Sequence, residues 1–223
     1  MDARLRETFP LLLERVQGIL SNTPACHDWD HTIRVLNNAR HLARVEGAHM
    51  ATVEFAAVLH DIGRPDELAD NGRTCHAQHG AGLALRLLPE LGIAEEAFTR
   101  HVADCVRTHR YRRRDGASAP ATVEAQVVFD ADKLDSIGAV GIGRSFHFAG
   151  RIGARLHNTM EEALGSASYS REDSAYREYL VKLRYIHERM LTAEGRRMAL
   201  ARHQSMVGFF ERLCCEVRGE DFV

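Results

Sequence analysis

Long apolar runs are missing from this chain of 223 residues. No stretch approaches the roughly 20 apolar residues that a membrane-spanning helix needs, which argues against a membrane protein. The opening segment Met1-Asp2-Ala3-Arg4-Leu5-Arg6-Glu7 carries acidic residues and no apolar core, so it does not read as a secretory signal. Together these absences lead us to expect a cytoplasmic protein. Cysteine is sparse as well. There are five, Cys26, Cys75, Cys105, Cys214 and Cys215, an odd number at irregular spacings with no CxxC pair. They read as reduced thiols rather than a disulfide framework or a zinc knuckle. No charge of one sign dominates, since the formal net charge is −2. A stable nucleic-acid partner is therefore not expected.

Proline is limited to five residues and β-branched runs are few. Most long segments repeat with a period near 3.6, so the fold class is all-α. Leu5, Phe9, Leu12, Leu13, Val16, Ile19 and Leu20 form an apolar stripe on a first helix, ended by Ser21-Asn22-Thr23-Pro24. A second helix starts near Asp30, with Asp28 and Asp30 at cap and first-turn positions, and closes at Gly47. A third covers about 52–60 and stops before Gly63 and Pro65. Residues 64–74 read as a polar loop, and 80–88 and 94–109 as helices. The stretch 110–120 reads as a flexible basic loop, and 122–137 as another helix. The glycines at 138, 141, 143, 150 and 153 predict a partly irregular segment, and 158–175 is polar. Two last helices are predicted at about 174–192 and 194–217. No repeat, low-complexity tract or linker interrupts the chain, so a single domain over 1–223 is expected.

Against this ordinary background one pair stands out. His60-Asp61 ends the apolar run Phe55-Ala56-Ala57-Val58-Leu59. His31 lies before it in His27-Asp28-Trp29-Asp30-His31, and Asp132 after it in Asp130-Ala131-Asp132-Lys133. Two imidazoles and two carboxylates make a mixed donor set suited to a divalent ion with open positions. Asp132 shares a helix face with Ala125, Val128 and Phe129. A carboxylate on a core face needs a cation, because burying it unpaired costs on the order of several kcal/mol. From that face alone, an arginine partner and a metal both remain open. His60 and Asp61 can serve one cavity only if their helix ends there, which Gly63 and Pro65 favour.

The order H…HD…D, with the flanks Leu59-His60-Asp61-Ile62-Gly63 and Asp130-Ala131-Asp132-Lys133-Leu134-Asp135, resembles the HD-domain metal-dependent phosphohydrolases. The stretch Gly138-Ala139-Val140-Gly141-Ile142-Gly143-Arg144 is similar to a subfamily of small bacterial members that includes nucleoside triphosphate pyrophosphohydrolases. The resemblance covers about 20–215 and implies a compact multi-helix HD-domain bundle. Its HD core would run over about 20–150, with C-terminal helices at about 174–217. The resemblance also implies that His31, His60, Asp61 and Asp132 are the metal ligands. In binuclear members, a histidine four residues before a glycine and another ending the next helix hold a second ion. His76, before Gly80, and His109 match those places. His76, His79 and His109 are accordingly expected at a second metal or at substrate. His27, four residues before His31, is expected beside the ligands.

Arg34 falls one turn after His31, where a guanidinium would bind phosphate or stabilise transition-state charge; a structural ion pair is an equal alternative. Lys133 and Arg144 are further phosphate candidates, and Asp61, Arg34 and Lys133 are the expected catalytic set. Oxygen and nitrogen donors without thiolate favour Mn²⁺, Mg²⁺, Co²⁺, Ni²⁺ or Fe²⁺. Such an ion would activate water for attack on phosphorus. A phosphate ester or anhydride of a nucleotide as substrate is what the resemblance implies, with triphosphate pyrophosphohydrolysis favoured. A nucleotidase, a binuclear phosphodiesterase, a di-iron oxygenase and a non-catalytic metal-binding domain stay open, as does a homodimeric assembly.

Overall fold

The computed structural model describes residues 3–21, 23, 28–110 and 119–220. His27 and residues 111–118 of the basic loop lie outside the described residues. Among the described residues every regular element is helical, as the periodicity predicts, and no helix is long and apolar enough to cross a membrane. The chain forms two compact units, one reaching to Asp132 and including Leu191–Gly195, the other comprising Lys133–Met190 and the chain from Arg196 onward.

The first unit is built around α3, Met50–Leu59, whose residues from Ala51 onward are all buried. A helix buried on every side is a core helix, and its one carboxylate, Glu54, is paired with Arg40 at 2.6 Å. It packs against α1 (Ala3–Leu20), α2 (Trp29–Glu46) and α6 (Glu96–Thr108). The Phe55 ring centroid lies 5.3 Å from that of Phe9, tilted, and 5.4 Å from that of Phe98, edge to face. The α2 helix begins as its sequence requires: the Asp28 side chain accepts from the His31 amide, and Gly47 closes it in the left-handed region with φ 70°.

The short α4, Arg64–Ala69, replaces the loop expected over 64–74. Its start carries Pro65 in the first turn with Asp66 and Glu67 behind it, a helix-initiating pattern too short to show periodicity. It leads into α5 (His76–Glu90), which packs on α6. The last helix to contribute here is α7, Val123–Leu134, through its residues up to Asp132.

Asp130, fully buried, fixes α7. Its carboxylate accepts from the Leu191 amide at 2.9 Å, the Thr192 amide at 2.8 Å and the Thr192 hydroxyl at 2.7 Å. On the other side, Asn38 Nδ2 of α2 donates to the Ala131 carbonyl at 3.2 Å. Asp130→Ala would strand the buried Thr192 amide and hydroxyl, at about 1–3 kcal/mol each, and release the Leu191 amide. We expect it to lower unfolding free energy by about 3 kcal/mol in urea titrations; a loss below about 1 kcal/mol would show that the clasp contributes little.

The second unit contains α8 (Gly138–Arg151), α9 (Met160–Gly165), α10 (Ala175–Val181), a 3-10 segment over Leu183–Arg189, and α11 (Ala193–Val217) from Arg196 on. Its rings cluster, with Tyr179 and Phe210 stacked at 4.4 Å and Phe146 against Phe209 at 5.9 Å. Two expectations are corrected here. The glycine-rich segment is one continuous helix. Gly138 makes the turn into it at φ 73°, and a Cβ on Gly141 would fall 2.2 Å from the Ser136 carbonyl oxygen, so these glycines admit a tight entry rather than break the helix. The helix expected over 174–192 breaks at Lys182 (φ −143°, ψ −58°) into α10 and the 3-10 segment.

Candidate metal centre

Five elements of the first unit converge on Asp61. His31 comes from the first turn of α2, His60 caps the C-terminus of α3, and Asp61 follows in the turn closed by the Arg64 amide on the Asp61 carbonyl at 2.8 Å. His76 opens α5 and His109 caps α6. Asp132 completes the set from α7. The end of α3 lets neighbouring His60 and Asp61 face one cavity, as a continuing helix would not.

The donor atoms form two groups joined by Asp61. Asp61 Oδ2 stands 3.8 Å from His31 Nε2 and 3.7 Å from His60 Nε2. Those two nitrogens are 3.2 Å apart, and Asp132 Oδ1 is 3.5 Å from His31 Nε2. Asp61 Oδ1 stands 3.6 Å from His76 Nε2 and 3.8 Å from His109 Nε2, themselves 3.3 Å apart. His31, His60 and Asp132 form one group that could hold a metal ion, and Asp61, His76 and His109 a second. Donors bound about 2.1 Å from a common ion stand roughly 3–3.6 Å from one another, close to the observed spacings.

The protonation pattern supports the fit. His60 Nδ1 lies 2.7 Å from the Ala57 carbonyl and His109 Nδ1 2.6 Å from the Val106 carbonyl. A carbonyl only accepts, so each ring carries a proton on Nδ1 and directs Nε2 inward, where a neutral ring offers its one lone pair. His76 Nδ1 donates to Glu67 Oε2 at 2.8 Å with the same consequence. Burial pushes the His76 imidazolium pKa down to about 2, and the charges of Arg64 and Arg110 act in the same direction against Asp61, so the ring is neutral. Bare lone pairs aimed at each other repel unless a cation lies between them. The side chains are nearly sealed: His31, His60, Asp61 and His109 are at most 1% exposed, and Asp132, at 16%, is the open edge.

Two residues unnoticed in the sequence complete the arrangement. Glu67, buried, orients His76. Arg64 donates from Nη1 to Glu67 Oε2 at 2.6 Å and from Nη2 to Asp61 Oδ1 at 2.9 Å and His76 Nε2 at 3.1 Å. Burial works against its charge, but Asp61 and Glu67 outweigh burial and raise its pKa further. The acidic first turn after Pro65 was the available signal for both.

The remaining candidates are placed differently. His79 turns away to Asp66 Oδ2 at 2.8 Å on the surface. Arg34 is half-buried on α2, one turn beyond His31. Lys133 is buried in the second unit, and Arg144 there donates to Asp135 Oδ2 at 2.8 Å and to its carbonyl at 3.0 Å.

Comparison with known proteins agrees with this reading. The HD domain family model matches residues 28–137, a span that includes every ligand candidate named above. The uncharacterized protein YpgQ of Bacillus subtilis is 33% identical over 206 residues, covering 92% of each chain. Its crystal structure in complex with ADP superimposes with a TM-score of 0.70 at 30% identity, covering 94% of this chain and 95% of that one. A predicted HD superfamily hydrolase from an uncultured Thermotogales bacterium gives 0.66 at 28% identity, covering 93% and 91%. With a third of its residues shared along nearly the full length of a relative, and the family model lying over both donor groups, this chain belongs to the HD-domain hydrolase family.

Proposed function

We propose that the protein is a metal-dependent phosphohydrolase acting on a nucleotide, with release of pyrophosphate from a nucleoside triphosphate as the favoured reaction. The observation that carries the reading is the donor set around Asp61, closed on every side but that of Asp132. His31, His60, Asp61 and Asp132 would hold a divalent ion, which would supply a Lewis acid and lower the pKa of bound water. The chain's own residues do the rest. Asp61 ties the two donor groups together, and the backbone carbonyls of Ala57 and Val106 hold the imidazoles in the ligating tautomer. Arg34, one turn along α2, is the phosphate-binding candidate of the first unit. Nucleotide as the substrate class is supported by the YpgQ complex with ADP.

The second donor group favours one competing reading, a di-iron oxygenase, because it offers a place for a second ion. Assays with Mn²⁺ separate the possibilities. Pyrophosphate is expected from nucleoside triphosphates, reduced at least ~10²-fold in Asp132→Ala. Orthophosphate from monophosphates would make the protein a nucleotidase instead. No metal-dependent turnover of either class would overturn the proposal and direct attention to iron and oxygen.

A further inference from the structure

The second donor group already holds a cation, and it belongs to the chain. A neutral imidazole with its proton on Nδ1 has a single lone pair, at Nε2. His76 donates its Nδ1 proton to Glu67, so that one lone pair is all it can give a metal. Arg64 Nη2 takes it at 3.1 Å, and takes Asp61 Oδ1 as well at 2.9 Å. An ion ligated there would need that same His76 lone pair, with a guanidinium pointing at it from beside Asp61 Oδ1. We infer that Arg64 acts as a built-in substitute for the second metal ion, so that the centre loads one divalent ion and a second can enter only if Arg64 leaves.

The local charge agrees. Asp61, Asp132 and Glu67 face two guanidiniums, Arg64 and Arg110, the latter 3.3 Å from Glu67 Oε1. One divalent ion over-neutralises this set slightly; a second would add two more positive charges in a nearly sealed space, a severe cost at low effective dielectric. Arg64 is a poor candidate for a wandering side chain, because it is anchored on both Asp61 and Glu67. A fixed charge beside Asp61 Oδ1 leaves Oδ2 to serve the His31 and His60 group, so Arg64 is a positioning residue for Asp61.

The inference rests on the metal-centre reading, and one experiment tells the two failures apart. Mn²⁺ alone is titrated into the full-length protein, counting bound ions by equilibrium dialysis and recording the electron paramagnetic resonance spectrum. Wild type is expected to bind one ion with an uncoupled six-line signal. Arg64→Met is expected to bind a second ion at least 100-fold more tightly than wild type, with an exchange-coupled signal. Arg64→Lys, which keeps a cation there and serves should the methionine variant fail to fold, is expected to stay at one. Two ions in wild type or in Arg64→Lys, or one in a folded Arg64→Met, would overturn the inference. No ion bound by wild type would instead defeat the metal-centre reading.

Discussion

Asp61→Asn is expected to reduce turnover by at least about 10³-fold and to weaken Mn²⁺ binding by at least about 100-fold, with the helical circular-dichroism signal unchanged. The substitution is nearly isosteric, so its severity comes from which way the amide turns. Arg64 Nη2 donates to Oδ1 at 2.9 Å, and a donor there demands an oxygen. The new NH₂ group is thereby forced into the Oδ2 place, 3.8 Å from His31 Nε2 and 3.7 Å from His60 Nε2. A donor then occupies the position where an ion needs an acceptor. His79→Ala is the matched control: its partner is surface Asp66, and activity within about twofold of wild type is expected. Isothermal titration with Mn²⁺ and steady-state assay check both, and an Asp61→Asn protein keeping a tenth of wild-type activity would remove Asp61 from the centre.

The second large effect is on stability. Gly63→Ala would place a methyl carbon 2.5 Å from the His76 carbonyl oxygen and 2.9 Å from the Gly80 amide nitrogen. Both obstacles are backbone, so no side chain can swing aside, and the start of α5 must move away from the Asp61 turn. Overpacking of this kind costs about 3 kcal/mol or more. The opposing glycine behaves differently: a Cβ on Gly80 meets Gly63, Ile62 and Val106 at 3.4 Å, an ordinary contact. Gly80→Ala is therefore expected to change stability by less than about 1 kcal/mol. Because Gly63 lies two residues after Asp61, relieving that clash should also displace the Asp61 turn and weaken ion binding together with the melting temperature. Equal melting temperatures for the two variants would contradict the close approach.

How far the sequence carried this reading depended on range. His60, Asp61 and Asp132 stand out because each breaks a local pattern, a polar donor at the end or on the core face of an apolar helix; His31 is singled out by the family resemblance. The face shared by Asp132 with Val128 and Phe129 was readable from period alone. Glu67 and Arg64 were not, since α4 spans six residues and no periodicity accumulates in less than two turns. The irregularity expected over 138–153 gives way to a helix because Gly141 lets the chain pass close to Ser136, a distance that composition does not encode. Asp130 looked like part of a motif; its partners, Leu191 and Thr192, are far along the chain, and no local rule joins them.

That last pairing has a consequence in time. The amides that hold Asp130 come from residues 61 and 62 positions later. A ribosome adding about 5–20 residues per second takes roughly 3–12 s to make them. Until Thr192 has cleared the exit tunnel, the helix bearing Asp132 lacks its clasp, although the other ligands have long been synthesised. The nascent chain thus spends seconds with the helix of Asp132 unclasped, although every candidate ligand has been synthesised.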